Sequence, residues 1–225
     1  MEKYCCVYCG AKESSIVWLI NENCLSHPNG QNKGKHLIKQ MPHLNIGIRT
    51  DIALVFSCPG LREAENKRPV SGATGDNLDF ILQRLVKGNI IENFSERYDF
   101  RITNASDRVY PTKDKRVRTE ELDTYLNAPK NLKRLHDELH DIQRCIICFG
   151  KKANETVLKM MFHSKEFKAP PINVRHLSPR VINKIVLENP KADKKINTRH
   201  RLLIVIEDDL LKNPNIEALT KPFNK

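Results

Sequence analysis

Apolar residues in this chain fall into short continuous runs, separated by stretches in which they recur at about 3.6-residue intervals. Asp51 to Phe56 is one such run. It stops abruptly at Ser57-Cys58-Pro59-Gly60, and Leu78, Ile81, Leu82 and Leu85 then recur at helical spacing. The pattern predicts a strand, a tight turn, a glycine-bearing loop and a helix over Leu78 to Val86. Asp99 to Asn104 predicts a second strand with a polar end. Glu120 to about Leu139 predicts a helix through Leu122, Leu126, Leu132, Leu135 and Leu139, broken by Pro129. Cys145 to Phe149, closed by Gly150, predicts a third strand. Ala153 to Met161 predicts a helix and Pro171 to His176 a fourth strand. Arg201 to Ile206 is a further apolar run, followed by a polar tail.

Strands alternating with helices imply a mainly parallel sheet with helices on both faces. The expected fold is a three-layer α/β/α sandwich around about four strands, with a small N-terminal zinc-binding element in addition. The expected division is residues 1–45 for that element and its connector, and 46–225 for the α/β/α domain. Ligands of such sheets bind beyond the carboxyl ends of the strands. Attention therefore falls on Ser57-Cys58-Pro59, Asn104, Gly150 and His176-Leu177-Ser178.

Composition narrows the function classes. At 225 residues, 40% hydrophobic and 29% charged, the chain can bury one real core. No apolar run approaches the ~20 residues needed to span a bilayer, so no membrane partner is expected. The first residues lack the form of a signal peptide. Seven cysteines, an odd number, then favour a reducing cytoplasm, with thiols or metal ligands in place of disulfides. A net charge of +11 favours a polyanionic partner, of which nucleic acid is the commonest. A monomer is expected.

The N-terminal segment holds Cys6-x2-Cys9 and, fourteen residues on, Cys24-x2-His27. Two short chelating pairs of soft ligands suit one tetrahedral Zn²⁺. Cys5 can stand in for Cys6. Four protein ligands leave no open coordination position, so the role is structural. Cys145 and Cys148 lie three apart in an apolar strand and face opposite ways, which reads as packing.

Four ordered segments match a known family. They are Phe56-Ser57-Cys58-Pro59-Gly60; Arg68-Pro69-Val70-Ser71-Gly72-Ala73-Thr74-Gly75 with Leu78-Asp79; Ile102-Thr103-Asn104; and Val174-Arg175-His176-Leu177-Ser178-Pro179-Arg180. Over about Ile52 to Arg180 the chain resembles the uracil-DNA glycosylase superfamily. It is most similar to the bacterial and archaeal branch whose first motif runs Gly-Glu-Ala-Pro-Gly. The resemblance implies that Asn104 hydrogen-bonds the edge of a flipped base, using an amide that both donates and accepts. It implies that His176 stabilises negative charge on the departing base. Arg180 falls at the wedge position that fills the gap left by the extruded nucleotide. Ser178 and the backbone near Gly60, Ser71 and Gly72 would grip phosphates. Ser57, Cys58, Pro59, Val70 and Asn104 would line the base pocket.

Departures from the family bear on substrate and chemistry. Val70 stands where the family has an aromatic ring that stacks on uracil, which removes a stacking surface and leaves room. Cys58 stands at the water-activating position and Ser57 at the glutamate of the first motif. An ordinary thiol, titrating near ~8.5, is a poor base at neutral pH. Glu63 matches a glutamate of the family loop, Pro-Gly-x-x-Glu, and is preferred to Asp76, which has a plain role at a helix start. The iron–sulfur cysteines of the branch have no match, with Arg108 standing about where one belongs, so zinc is expected and a cluster is not.

The implied reaction is hydrolysis of the bond joining a pyrimidine to deoxyribose in DNA, after the nucleotide leaves the stack. Phosphate contacts are expected from Arg108, Lys113, Lys115, Arg116, Arg118, Lys151, Lys152, Arg175 and Arg180. No lysine stands in a motif position, so a monofunctional enzyme is expected. Uracil is the default base. Val70 favours a bulkier modified pyrimidine, such as those in some viral genomes, which gives a role in base excision or in antiviral defence. Two other classes remain open: a DNA-binding module of this fold without catalysis, and an N-terminal zinc-ribbon adaptor for RNA or protein.

Overall fold

The structure, a computed structural model, describes residues 41–109, 123–164 and 167–220. The expected zinc ligands Cys6, Cys9, Cys24 and His27 lie outside the described residues, as do Lys113, Lys115, Arg116 and Arg118.

The elements in order are β1 (Leu44–Asn45), β2 (Ile52–Phe56), α1 (Leu61–Asn66), α2 (Ala73–Lys87), a single 3-10 turn (Arg97–Asp99), β3 (Arg101–Asn104), α3 (Asp123–Leu126), α4 (Pro129–Leu139), β4 (Cys145–Phe149), α5 (Lys151–His163), β5 (Pro171–Val174), α6 (Pro179–Ile182), α7 (Lys194–Val205), a π-helical turn (Ile206–Leu211) and α8 (Ile216–Thr220). The sheet order is β1-β3-β2-β4-β5. All neighbours are parallel except β1, which pairs antiparallel with β3.

The four strands predicted from the apolar runs form the parallel part of the sheet. The fifth, β1, has two residues and no readable period; it adds Leu44 and Asn45 to the sheet, just ahead of the boundary expected at residue 46. Helix α2 starts at Ala73, five residues before Leu78, because Gly72 caps it and the first turn is polar. Pro129 marks the expected break, with α3 ending at Leu126 and α4 beginning at the proline itself. It occupies the first turn of α4, where its missing N–H and fixed φ cost nothing.

Central strands β2 and β4 are buried along their whole length, as a two-sided sheet requires. Residues alternate between two cores. Ile52, Leu54 and Phe56 face one that is completed by Leu78, Ile81, Leu82 and Leu85 of α2 and by Leu202, Val205 and Leu210. Ala53 and Val55 face the other, completed by α4 and α5. Cys145 points to the first core and Cys148 to the second. Burial pushes the Cys145 thiol up to about 12 and raises Cys148 too, so both are packing residues.

Candidate active site

Parallel strands end together, so β2, β3, β4 and β5 deliver Ser57, Asn104, Gly150 and His176 to one edge of the sheet. Phe56 links the two residues expected to hold a base. Its strand partner across the β2–β3 ladder is Asn104, on the same face and about 4.8 Å away along the hydrogen-bonding direction. Its ring lies 6.2 Å from the His176 ring in an edge-on arrangement, at 82°. The Phe56 ring also stacks on Phe149 at 4.6 Å. Asn104 and His176 therefore flank one buried aromatic platform.

Gly150 lets the three loops meet. Its φ is +104°, a conformation that side chains rarely adopt, and a Cβ there would lie 3.3 Å from the His176 Cβ and 3.5 Å from Ser57 Oγ. The chain turns at this point because the Gly150 amide donates to the Val174 carbonyl at 2.7 Å.

His176 is half-buried. Its Nδ1 accepts the Ser178 amide at 3.0 Å. That contact assigns the proton of a neutral ring to Nε2, which makes Nε2 the donor. Burial pushes the imidazole below its ordinary value, so it is neutral at pH 7.

Asn104 is 2% exposed, and its Nδ2 leans on the His43 carbonyl at 3.4 Å. Its backbone is fixed from behind by α4. Arg134 Nη2 donates to the carbonyls of Asn104 and Ala105, each at 3.0 Å. Asn131 Nδ2 also donates to Ala105. Arg134 is paired with Glu138 at 2.6 Å, and Glu138 further accepts the Thr103 hydroxyl at 2.5 Å. Burial pushes the Glu138 carboxyl up, but His43, Arg134 and Thr103 outweigh it, and the group is held ionised.

The loop between β2 and α2 forms another wall. Val70 has φ 44°, unusual for a β-branched residue, and is 3% exposed within the core that holds Phe56. It can therefore contribute only to the floor of a pocket. Gly75 makes this conformation possible, since a Cβ there would stand 1.9 Å from the Val70 carbonyl oxygen. Tyr98 also holds the loop, donating its hydroxyl to the Pro69 carbonyl at 3.1 Å.

Other expected site residues have structural partners. Glu63 accepts the Gly60 amide at 3.0 Å as part of the α1 N-terminal cap. One contact thus engages both the expected base and an amide expected to grip phosphate. Ser71 Oγ donates to the Arg62 carbonyl at 3.2 Å, and Gly72 caps α2. Pro59 is buried and Cys58 half-buried. Ser178 caps α6, and Arg180 is exposed in its first turn. Arg175, expected on DNA, is bound by Asp209, and Lys152 is paired with Asp123.

Two clefts lie away from this edge and carry none of the motif residues. One runs between α2 and α7 past Arg84, Lys87, Arg199 and His200; the other is lined by Ile48, Asp51, Glu92 and Asp99.

The family model described as the uracil DNA glycosylase superfamily matches residues 45–201, more than half of the chain. The chain belongs to that superfamily. The match begins in β1 and ends inside α7, so it takes in all five strands and every loop at the carboxyl edge. No curated protein sequence matches the chain. Superfamily members act on DNA, which accords with the basic charge. No helix among the described residues is long and apolar enough to cross a membrane.

Several residues with clear contacts at this edge carried no readable signal. Phe149 reads only as an ordinary strand residue, and Phe56, although it opens the first matching segment, has no expected role of its own. Arg134 and Glu138 have a spacing common to solvated helix pairs, yet both side chains are covered. Asp209 fell in the polar tail. Asn77 stands between Gly75 and Leu78 of the second matching segment and has no expected role.

Proposed function

We propose that the protein is a monofunctional DNA glycosylase that hydrolyses the N-glycosidic bond of a flipped-out pyrimidine and leaves an abasic site. What carries the proposal is the pairing of Asn104 and His176 on either side of Phe56, at the carboxyl edge of a superfamily sheet. The Asn104 amide would read the edge of the base. The neutral His176 would direct Nε2–H at a base oxygen and stabilise the negative charge that develops as the bond breaks. A neutral ring can do this because Nε2–H donates a hydrogen bond to the developing oxyanion without transferring its proton. The sugar becomes oxocarbenium-like, as in other glycoside cleavage, and a carboxylate and the DNA phosphates would stabilise it. Glu63 is the proposed water-activating carboxylate, carried on the helix that follows Ser57-Cys58-Pro59. Arg180 would fill the vacated place in the stack.

The proposed substrate is uracil or a bulkier modified pyrimidine, in base excision or in defence against viruses with modified DNA. Val70 supports the bulkier base, since an isopropyl group turned into the core leaves no ring over the pocket. We further propose one structural Zn²⁺ on Cys6, Cys9, Cys24 and His27, from their spacing.

An abasic-site assay tests the activity. Purified protein is offered DNA containing uracil and DNA containing hypermodified cytosines, with His176→Ala as control. Abasic product that depends on His176 is expected. Cleavage of uracil alone would remove the enlarged pocket. No product on any base, with DNA binding intact, would favour a second function class, a non-catalytic DNA-binding module, for which Cys58 at the water-activating position is the supporting observation.

A further inference from the structure

The turn that carries His176 is held by two residues from outside its own segment. Arg175, the residue before it, is gripped by Asp209 through three contacts. The Arg175 backbone amide donates to Oδ2 at 2.8 Å, Nε donates to Oδ2 at 2.7 Å, and Nη2 donates to Oδ1 at 2.6 Å. Leu177, the residue after it, is held through its carbonyl, which accepts Nδ2 of Asn77 at 2.8 Å. Asn77 is buried in the second turn of α2, a position where the rest of the helix face is aliphatic.

Asp209 is singled out by its position on the π-helical turn. Three consecutive acidic residues, Glu207, Asp208 and Asp209, lie there. Glu207 is exposed, and Asp208 pairs along the helix with Lys212. Only Asp209 turns inward; its side chain is 14% exposed and sits beside the fully buried Leu210. A π turn carries an extra residue and shifts the side chains that follow, and such turns recur where a functional group must be aimed. A carboxylate that binds a guanidinium at two points and a backbone amide at a third fixes direction as well as distance.

We propose that Asp209 and Asn77 are positioning residues for the reaction, which clamp the Arg175–Leu177 backbone on both sides of His176 and so aim its Nε2–H at the substrate base. The proposal rests on the glycosylase function stated above. Arg175 then serves as the handle by which Asp209 holds β5, and it is not a phosphate contact. With the backbone fixed on both sides, the internal Ser178 N–H to Nδ1 contact completes the orientation of the ring, since it forms only if the turn keeps its shape.

The test compares Asp209→Asn, Asn77→Leu, Arg175→Met and Arg175→Lys with the wild type. Single-turnover base release at saturating DNA, DNA affinity and thermal stability are measured for each. A 15N spectrum of the imidazole reads the His176 tautomer without any substrate. Asp209→Asn, Asn77→Leu and Arg175→Met are expected to slow base release about 10- to 100-fold with unchanged DNA affinity, as small misplacements of a catalytic group do. Arg175→Lys, which keeps a cation for Asp209, should recover part of the rate. The Nδ1 resonance should lose its uniform acceptor character in the three slow variants.

If Arg175→Met weakens DNA binding while Asp209→Asn leaves the rate intact, Arg175 is a phosphate contact and the proposal is wrong. A wild-type tautomer and rate in both Asp209→Asn and Asn77→Leu would likewise overturn it. Should the wild type release no base at all, the spectrum still decides whether these residues set the ring, so the two failures are told apart.

Discussion

A neutral histidine and a capped glutamate give the sharpest expectations at the scale of single residues. Burial holds the His176 imidazole below the ordinary value of 6.5. A base whose folded pKa lies below its unfolded one costs no stability above 6.5, and stability falls as pH drops from there toward the folded value. Protonation also puts a hydrogen on Nδ1 and so breaks its contact with the Ser178 amide. The single-turnover rate should therefore stay level through pH 6.5 and fall only at lower pH; an acid limb centred at or above 6.5 would contradict this. Glu63 raises a different question, because its carboxylate already caps α1. Glu63→Gln separates the two roles, since glutamine can accept the same amide and keep the cap. If Glu63 activates water, the rate drops by about 100-fold or more with the melting temperature nearly unchanged. An unchanged rate would leave Glu63 as a cap alone.

At the scale of elements, the loop from Arg68 to Gly72 and helix α2 are made for each other. The Val70 carbonyl sits where a side chain at position 75 would be, and the Val70 backbone is held at positive φ in return. Gly75→Ala forces the two apart. It is expected to cost about 1–3 kcal/mol in denaturant unfolding and to slow base release, because the loop moves away from Phe56. Wild-type stability would show that the loop is softer than its packing implies. The same elements show what could be read in advance. Ile52 to Phe56 and Cys145 to Phe149 were legible because a strand covered on both faces must be apolar throughout. Asn104 and His176 were legible because each ends a predicted strand inside a segment that resembles the family, Ile102-Thr103-Asn104 and Val174 to Arg180. Strand β1 was not, since two residues have no period. Nor was the brace behind Asn104. Arg134 and Glu138 are four apart on a helix, a spacing that belongs equally to solvated pairs, and only the sheet beside them makes them a buried support. The Asp209 grip depends on a π turn, which the spacing of Leu202, Ile206 and Leu210 does not announce.

At the scale of the whole molecule, charge sets how the protein meets DNA. A net charge of +11 gives a sequence-independent attraction, which is weakened by salt in proportion to the phosphates contacted. Affinity for a duplex should fall linearly on logarithmic axes, with a slope of about −0.9 for each phosphate neutralised. Arg180→Ala should leave that slope almost unchanged if its side chain fills the stack and touches no phosphate. A slope shallower by about one unit would make it a phosphate contact instead. The cations paired within the fold, Arg134 with Glu138 and Arg175 with Asp209, contribute to architecture and should not enter the slope.

The central claim is that Asn104 and His176 together hold an extruded pyrimidine while its bond to the sugar breaks. The most direct measurement is single-turnover base release at saturating DNA by the wild type, by each alanine variant and by the double variant. Each single change is expected to cost about two to three orders of magnitude in rate with DNA affinity preserved, and the double variant should lose less than the sum of the two. Base release at the wild-type rate by His176→Ala would contradict the claim.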